Sequence, residues 1–148
     1  MEDDGIFIPK TYLTAQIVRD VMAEFEWPVS YELIEDLSLI HTVLIKFKTC
    51  EIILRDIPQD GIDLIFSSFN GKKLGAKYWE IEKYIPNYNP VRDLDLEKYT
   101  IKDPILNTIT SVRNDMKNLQ YYHINFIAGT DYSMAEKYLR DKKSKLKS

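Results

Sequence analysis

The stretch from Ser38 to Phe69 constrains the fold most, because it alternates apolar and polar residues over three successive segments. In Thr42 to Lys48, Val43, Ile45 and Phe47 share one face, and Thr42, Leu44, Lys46 and Lys48 share the other. Cys50, Ile52 and Leu54 oppose Glu51, Ile53 and Arg55 in the same way, as Ile62, Leu64 and Phe66 oppose Asp63, Ile65 and Ser67. Successive side chains of a strand point to opposite faces, so a period of two describes strands with one covered face. That pattern suits an antiparallel sheet, since parallel strands are buried on both faces and read as continuous apolar runs. Pro58-Gln59-Asp60-Gly61 separates the last two segments. It has a turn mechanism: proline presets φ, and glycine accepts a positive φ.

The flanking segments extend this plan. Residues 10–25 predict a helix, with Leu13, Ile17, Val21 and Phe25 recurring every four residues and Trp27-Pro28 ending it. Val29 to Leu37 is ambiguous: Val29, Tyr31 and Leu33 alternate as in a strand, yet Leu33, Leu37, Ile40 and Leu44 are spaced as on a helix. The strand reading is preferred because β-branched residues dominate the next segments of the chain. Asn70-Gly71 marks a tight turn. Ala76 to Ile85 then reads as a fifth strand, with a short helix as the alternative. Residues 86–100 form a long connection, and long loops often carry function. Asp103-Pro104 opens a second helix with a capping side chain and a proline at the first turn. Its face runs through Ile105, Ile109, Val112, Met116, Leu119 and His123 and on to Phe126, and Gly129 stops it. A third helix starts near Tyr132, and residues 141–148 read as a frayed end. The expected fold is therefore α+β, in a single domain of 148 residues: an N-terminal helix, an antiparallel meander of four to five strands, and two C-terminal helices packed on one face.

Composition excludes several classes. The apolar fraction of 45% and charged fraction of 29% are those of an ordered globular chain. The lone cysteine, Cys50, allows no intramolecular disulfide, and its strand position predicts a buried thiol. Met1-Glu2-Asp3-Asp4-Gly5 lacks the basic and apolar regions of a signal peptide, and no apolar run approaches the roughly 18 residues of a membrane span. A cytoplasmic protein without membrane contact is expected. The net charge of −3 is uneven: residues 1–36 hold two bases against nine acids, and residues 134–148 hold six bases against two acids. An acidic chain with one short basic tail does not read as a nucleic-acid binder.

Motifs for catalysis are sparse. Two histidines, His41 and His123, and one cysteine make no paired metal-ligand spacing, and no glycine-rich phosphate loop is present, so neither metal nor cofactor is expected. Carboxylate pairs such as Asp93 and Asp95 sit at the spacing of one strand face, a pattern common on solvated surfaces. What remains is a protein-binding surface. The acids Glu32, Glu35 and Asp36, with Tyr78, Tyr84, Tyr88, Arg92, Asp93 and Asp95, are the candidate partner-binding residues. Tyrosine and arginine are enriched at binding hot spots, and acids steer basic partners. In size, acidity and α+β make-up the chain resembles bacterial immunity proteins, which bind and neutralise a toxin domain. The resemblance is one of class, without a shared motif, and it implies an inhibitor of a basic protein. The alternative is a small hydrolase with a site assembled around His41 or His123.

Overall fold

The computed structural model describes residues 12–36, 41–57, 61–89 and 103–147. Five strands form one antiparallel sheet in chain order: β1 (Tyr31–Asp36), β2 (Thr42–Phe47), β3 (Cys50–Ile57), β4 (Gly61–Phe69) and β5 (Lys72–Lys77). Val29 to Leu37 thus supplies a strand, in register with β2 from Tyr31↔Phe47 to Asp36↔Thr42. The helices are α1 (Ala15–Met22), α2 (Tyr78–Ile81) with a 3₁₀ turn over Glu82–Tyr84, α3 (Pro104–Tyr122), α4 (Ile124–Ala128) and α5 (Ser133–Lys147). Architecture and class are those expected, a helix, a meander and C-terminal helices in an α+β fold.

One face of the sheet makes the core. Val43, Ile45, Ile52, Leu54, Leu64 and Phe66 are buried on it, against Val18, Val21 and Met22 of α1 and Val112, Met116 and Leu119 of α3. Each such side chain contributes about 1.5–3 kcal/mol on burial. Cys50 lies in the same layer and is 3% exposed, as the strand pattern required.

Local chemistry sets the ends. The Thr14 hydroxyl accepts the Ile17 N–H at 3.2 Å and starts α1. The helix stops at Met22, earlier than the apolar stripe to Phe25 suggests, because the Trp27 indole N–H donates to the Met22 carbonyl at 2.9 Å and folds the chain back. Bidentate bonds from Arg113 to Glu24, at 2.9 and 2.7 Å, then tie this corner to α3. Asp103 caps α3 by accepting the Ile105 N–H at 3.0 Å.

Two expectations change here. The fifth strand lies at Lys72–Lys77, and the stretch from Tyr78 to Tyr84, expected to continue a strand, is helical. Glu80 Oε1 accepts the Lys77 N–H at 2.8 Å, a capping bond that turns the chain into α2 as soon as pairing with β4 ends. The second helix is broken at His123, whose backbone (φ −125°, ψ 12°) leaves the helical region before α4 resumes. α5 runs on through the C-terminal residues to Lys147. Gly129 does stop α4, at φ +79°. A Cβ there would meet Thr49 Cγ2 at 2.9 Å, in a seam where the Thr49 hydroxyl donates to the Ile127 carbonyl.

Candidate interaction surface

The face of the sheet turned away from the helices is organised in rows by strand register. Ile34, Leu44, Ile53 and Ile65 stand opposite one another across β1 to β4 and form one apolar row. A charged row lies on each side: Glu32, Lys46 and Glu51 on one, Asp36, Thr42, Arg55 and Asp63 on the other. Arg55 Nη2 meets Asp63 Oδ2 at 2.9 Å within the second row. The helices that line the core pack on the opposite face. Ile34 ends the apolar row at the sheet's edge and is 47% exposed.

The two edges of the sheet differ. Among the described residues β1 pairs with β2 alone, over six consecutive residue pairs without a bulge. Its sequence, Tyr-Glu-Leu-Ile-Glu-Asp, has no lysine, proline or glycine. Proteins blunt an edge strand with charges, lysine above all, with proline or with bulges, because its unpaired N–H and C=O groups template a further strand, and of these β1 has only its acids. β5 is blunted. It carries Lys72, Lys73 and Lys77, its pairing with β4 shifts register between Phe66 and Ser68, and Gly75 adopts φ +61°.

The expected partner-binding residues divide between these edges. Glu32 and Asp36 flank Ile34 on the open face of β1. Glu35 points the other way and accepts the Ala15 N–H at 2.7 Å, so it caps α1 as well as adding charge. Tyr78, Tyr84 and Tyr88 come after β5, at the far edge. Five strands about 4.8 Å apart separate the two groups by about 19 Å. Arg92, Asp93 and Asp95 lie outside the described residues.

The tyrosines themselves are mostly structural. Tyr78 stacks on Phe66 (centroids 6.1 Å apart) and meets Tyr88 at 5.7 Å, and Tyr88 meets Tyr122 at 4.6 Å. The Tyr122 hydroxyl accepts the Asn89 N–H and donates to the Asn89 carbonyl, at 2.7 and 2.8 Å. Tyr84 donates to Asp141, and its hydroxyl pKa is pushed up to about 12, first by desolvation and then by that carboxylate. Among the described residues, the aromatic side chains that do face solvent are Trp79, 63% exposed, and Tyr121, 80% exposed. The alternation reading put Trp79 on a strand face, and the α3 stripe skipped Tyr121. Residue type alone marks neither as exposed.

The groups considered for catalysis are dispersed. His41 and Asp56 are joined by an Asp56 N–H to His41 carbonyl bond of 2.9 Å at one end of β3, and Cys50 is at the other end. Six residues of strand separate those ends by about 20 Å. Asp56 is already used, accepting the Tyr12 and Leu13 N–H groups at 2.8 and 3.2 Å. Burial pushes the Cys50 thiol up to about 12, the reverse of an activated nucleophile. His123 is 1% exposed beneath Phe66 and Tyr78, whose centroids lie 4.9 and 5.3 Å away. Neither of its ring nitrogens has a hydrogen-bond partner among the described residues, and burial drives its pKa down to about 3. Asp115 on α3 is a further perturbed group that the sequence did not single out. Burial raises its pKa well above the carboxylate range, and the charge of Asp63 adds to the shift. Among the described residues no group of three or more potential ligands converges as a metal site, and no helix is long and apolar enough to cross a membrane. Comparisons with family models, curated proteins and solved structures found no match.

Proposed function

We propose that this chain is a non-enzymatic, cytoplasmic protein-binding domain that inhibits a basic partner in the manner of an immunity protein, using the β1 edge. The observation that carries the reading is that edge: an acidic strand in unbroken register with β2, with neither lysine nor proline, presenting an exposed Ile34 between Glu32 and Asp36. A strand laid beside it gains main-chain hydrogen bonds, and alternate side chains supply selectivity. The complementary segment is extended and reads basic, apolar, basic on its matching face. The apolar row behind Ile34 continues the contact onto Leu44 and Ile53. The acidic bias of residues 1–36 supplies long-range attraction, which salt screens beyond about 8–10 Å.

The test starts from a photo-crosslinking amino acid at position 34, irradiated in the native cell, which identifies the protein that touches this edge. With that partner purified, Glu32→Lys with Ile34→Lys weakens binding by about tenfold or more, and added salt slows association more than it speeds dissociation. Circular dichroism of the variant remains that of the wild type. A partner that binds wild type and double variant equally, or shows no salt dependence in its association rate, would sink the proposal.

A further inference from the structure

At the opposite edge, α2 and α5 enclose an open groove of about 410 Å³. Its walls are Trp79, Lys83 and Tyr84 on one side, and Tyr138, Asp141, Lys142 and Lys145 on the other. Gly75 opens it further, since the space where its Cβ would stand is empty to 4 Å. The indole of Trp79 is 63% exposed here, a large apolar surface with no need to face water for the fold's sake. The charges in the groove are arranged unequally. Glu80 holds the Lys77 N–H at 2.8 Å and the Tyr138 hydroxyl at 3.4 Å, and Asp141 holds the Tyr84 hydroxyl. Lys83 instead lies over the Tyr84 ring at 5.2 Å, and Lys142 over the Tyr138 ring at 5.7 Å. A ring face attracts an ammonium without using up its N–H donors, so both lysines keep hydrogen-bonding capacity for an anion.

From this geometry we propose that the groove binds a small ligand combining a planar ring with a phosphate, of the mononucleotide class. The ring stacks on Trp79, and the phosphate is held by Lys83 and Lys142. The volume falls within the range of small-molecule sites, stacking on an aromatic side chain tolerates any base, and lysine is a standard phosphate donor. The groove is independent of the β1 edge, so either proposal stands if the other fails.

The test is tryptophan fluorescence of the intact protein, titrated with adenosine monophosphate, adenosine and inorganic phosphate. Trp27 is held by its bond to Met22 and serves as the internal constant. Saturable quenching by the mononucleotide is expected, with adenosine and phosphate each weaker by about tenfold or more, since each lacks half of the recognition. Trp79→Phe removes the quenching, and Trp79→Ala weakens calorimetric affinity by about tenfold. Lys83→Gln with Lys142→Gln weakens it similarly and flattens its salt dependence. A decathymidylate arm separates free nucleotide from nucleic acid: binding it more tightly than the mononucleotide overturns the small-ligand assignment. Quenching that persists in Trp79→Phe, or that never saturates, overturns the site.

Discussion

The two edges of one sheet are built on opposite terms. β5 sends Leu74 and Ala76 fully into the core, is loaded with lysine, kinks at Gly75 and turns straight into α2. β1 sends Tyr31 and Leu33 only partly inward, with Glu35 on the same side, carries Glu32, Ile34 and Asp36 outward, and keeps an unbroken register. An edge anchored in the core and armed with charge resists further pairing. The contrast teaches that core packing is divided unequally along the sheet, deep at β5, where the groove lies, and shallow at β1.

The largest effect should come from comparing apolar truncations. Leu74→Ala in β5 should cost about 2–5 kcal/mol in urea unfolding, because it empties a fully packed site. Ile34→Ala in β1 should change stability by about 0.5 kcal/mol or less, as for other exposed positions. Equal costs would erase the distinction between the edges.

Next is the acid sensitivity of the β5 side, where His123 sits beneath Phe66 and Tyr78. Its folded pKa of about 3 lies below the unfolded value of 6.5, so the unfolded state binds more protons between those values. Stability is therefore complete above the unfolded value and is lost as pH falls toward the folded one. Between pH 7.5 and pH 5 the loss is about 2 kcal/mol. Denaturation of His123→Phe at the two pH values should lack that component. Asp115, whose pKa is raised, contributes the opposite slope in both proteins and cancels from the difference.

A smaller effect is expected at Gly75. Its φ of +61° disfavours a side chain, while nothing lies within 4 Å of the added Cβ. Gly75→Ala should cost about 1 kcal/mol from the backbone alone, and a thermal melt should show it. The smallest effect is at Glu32, on the exposed strand edge. Glu32→Lys should leave stability within about 0.5 kcal/mol of wild type, so that any loss of partner binding is attributable to the surface.

Much of the fold was legible because its signals are local. The period of two in β2, β3 and β4 names which residue faces the core, and Asp103, Pro104 and Gly129 carry their own capping chemistry. Cys50 was readable as buried from the strand it belongs to. The candidate surface was half legible. The acids of β1 and the tyrosines after β5 were recognisable by type, but their placement at opposite edges depends on strand order. The helical setting of Trp79 was not legible, because Trp79 and Ile81 alternate as well as any strand.

By itself, then, the sequence determined periodicity, caps and turns, since these are set by residues within a few positions of each other. Tertiary structure decided where pairing with β4 runs out and α2 begins, why a continuous helical stripe breaks at His123 over Phe66 and Tyr78, and which strands stand at the two edges of the sheet. Those outcomes rest on contacts between residues far apart in the chain, whose free energy outweighs the small differences in local propensity that sequence patterns report.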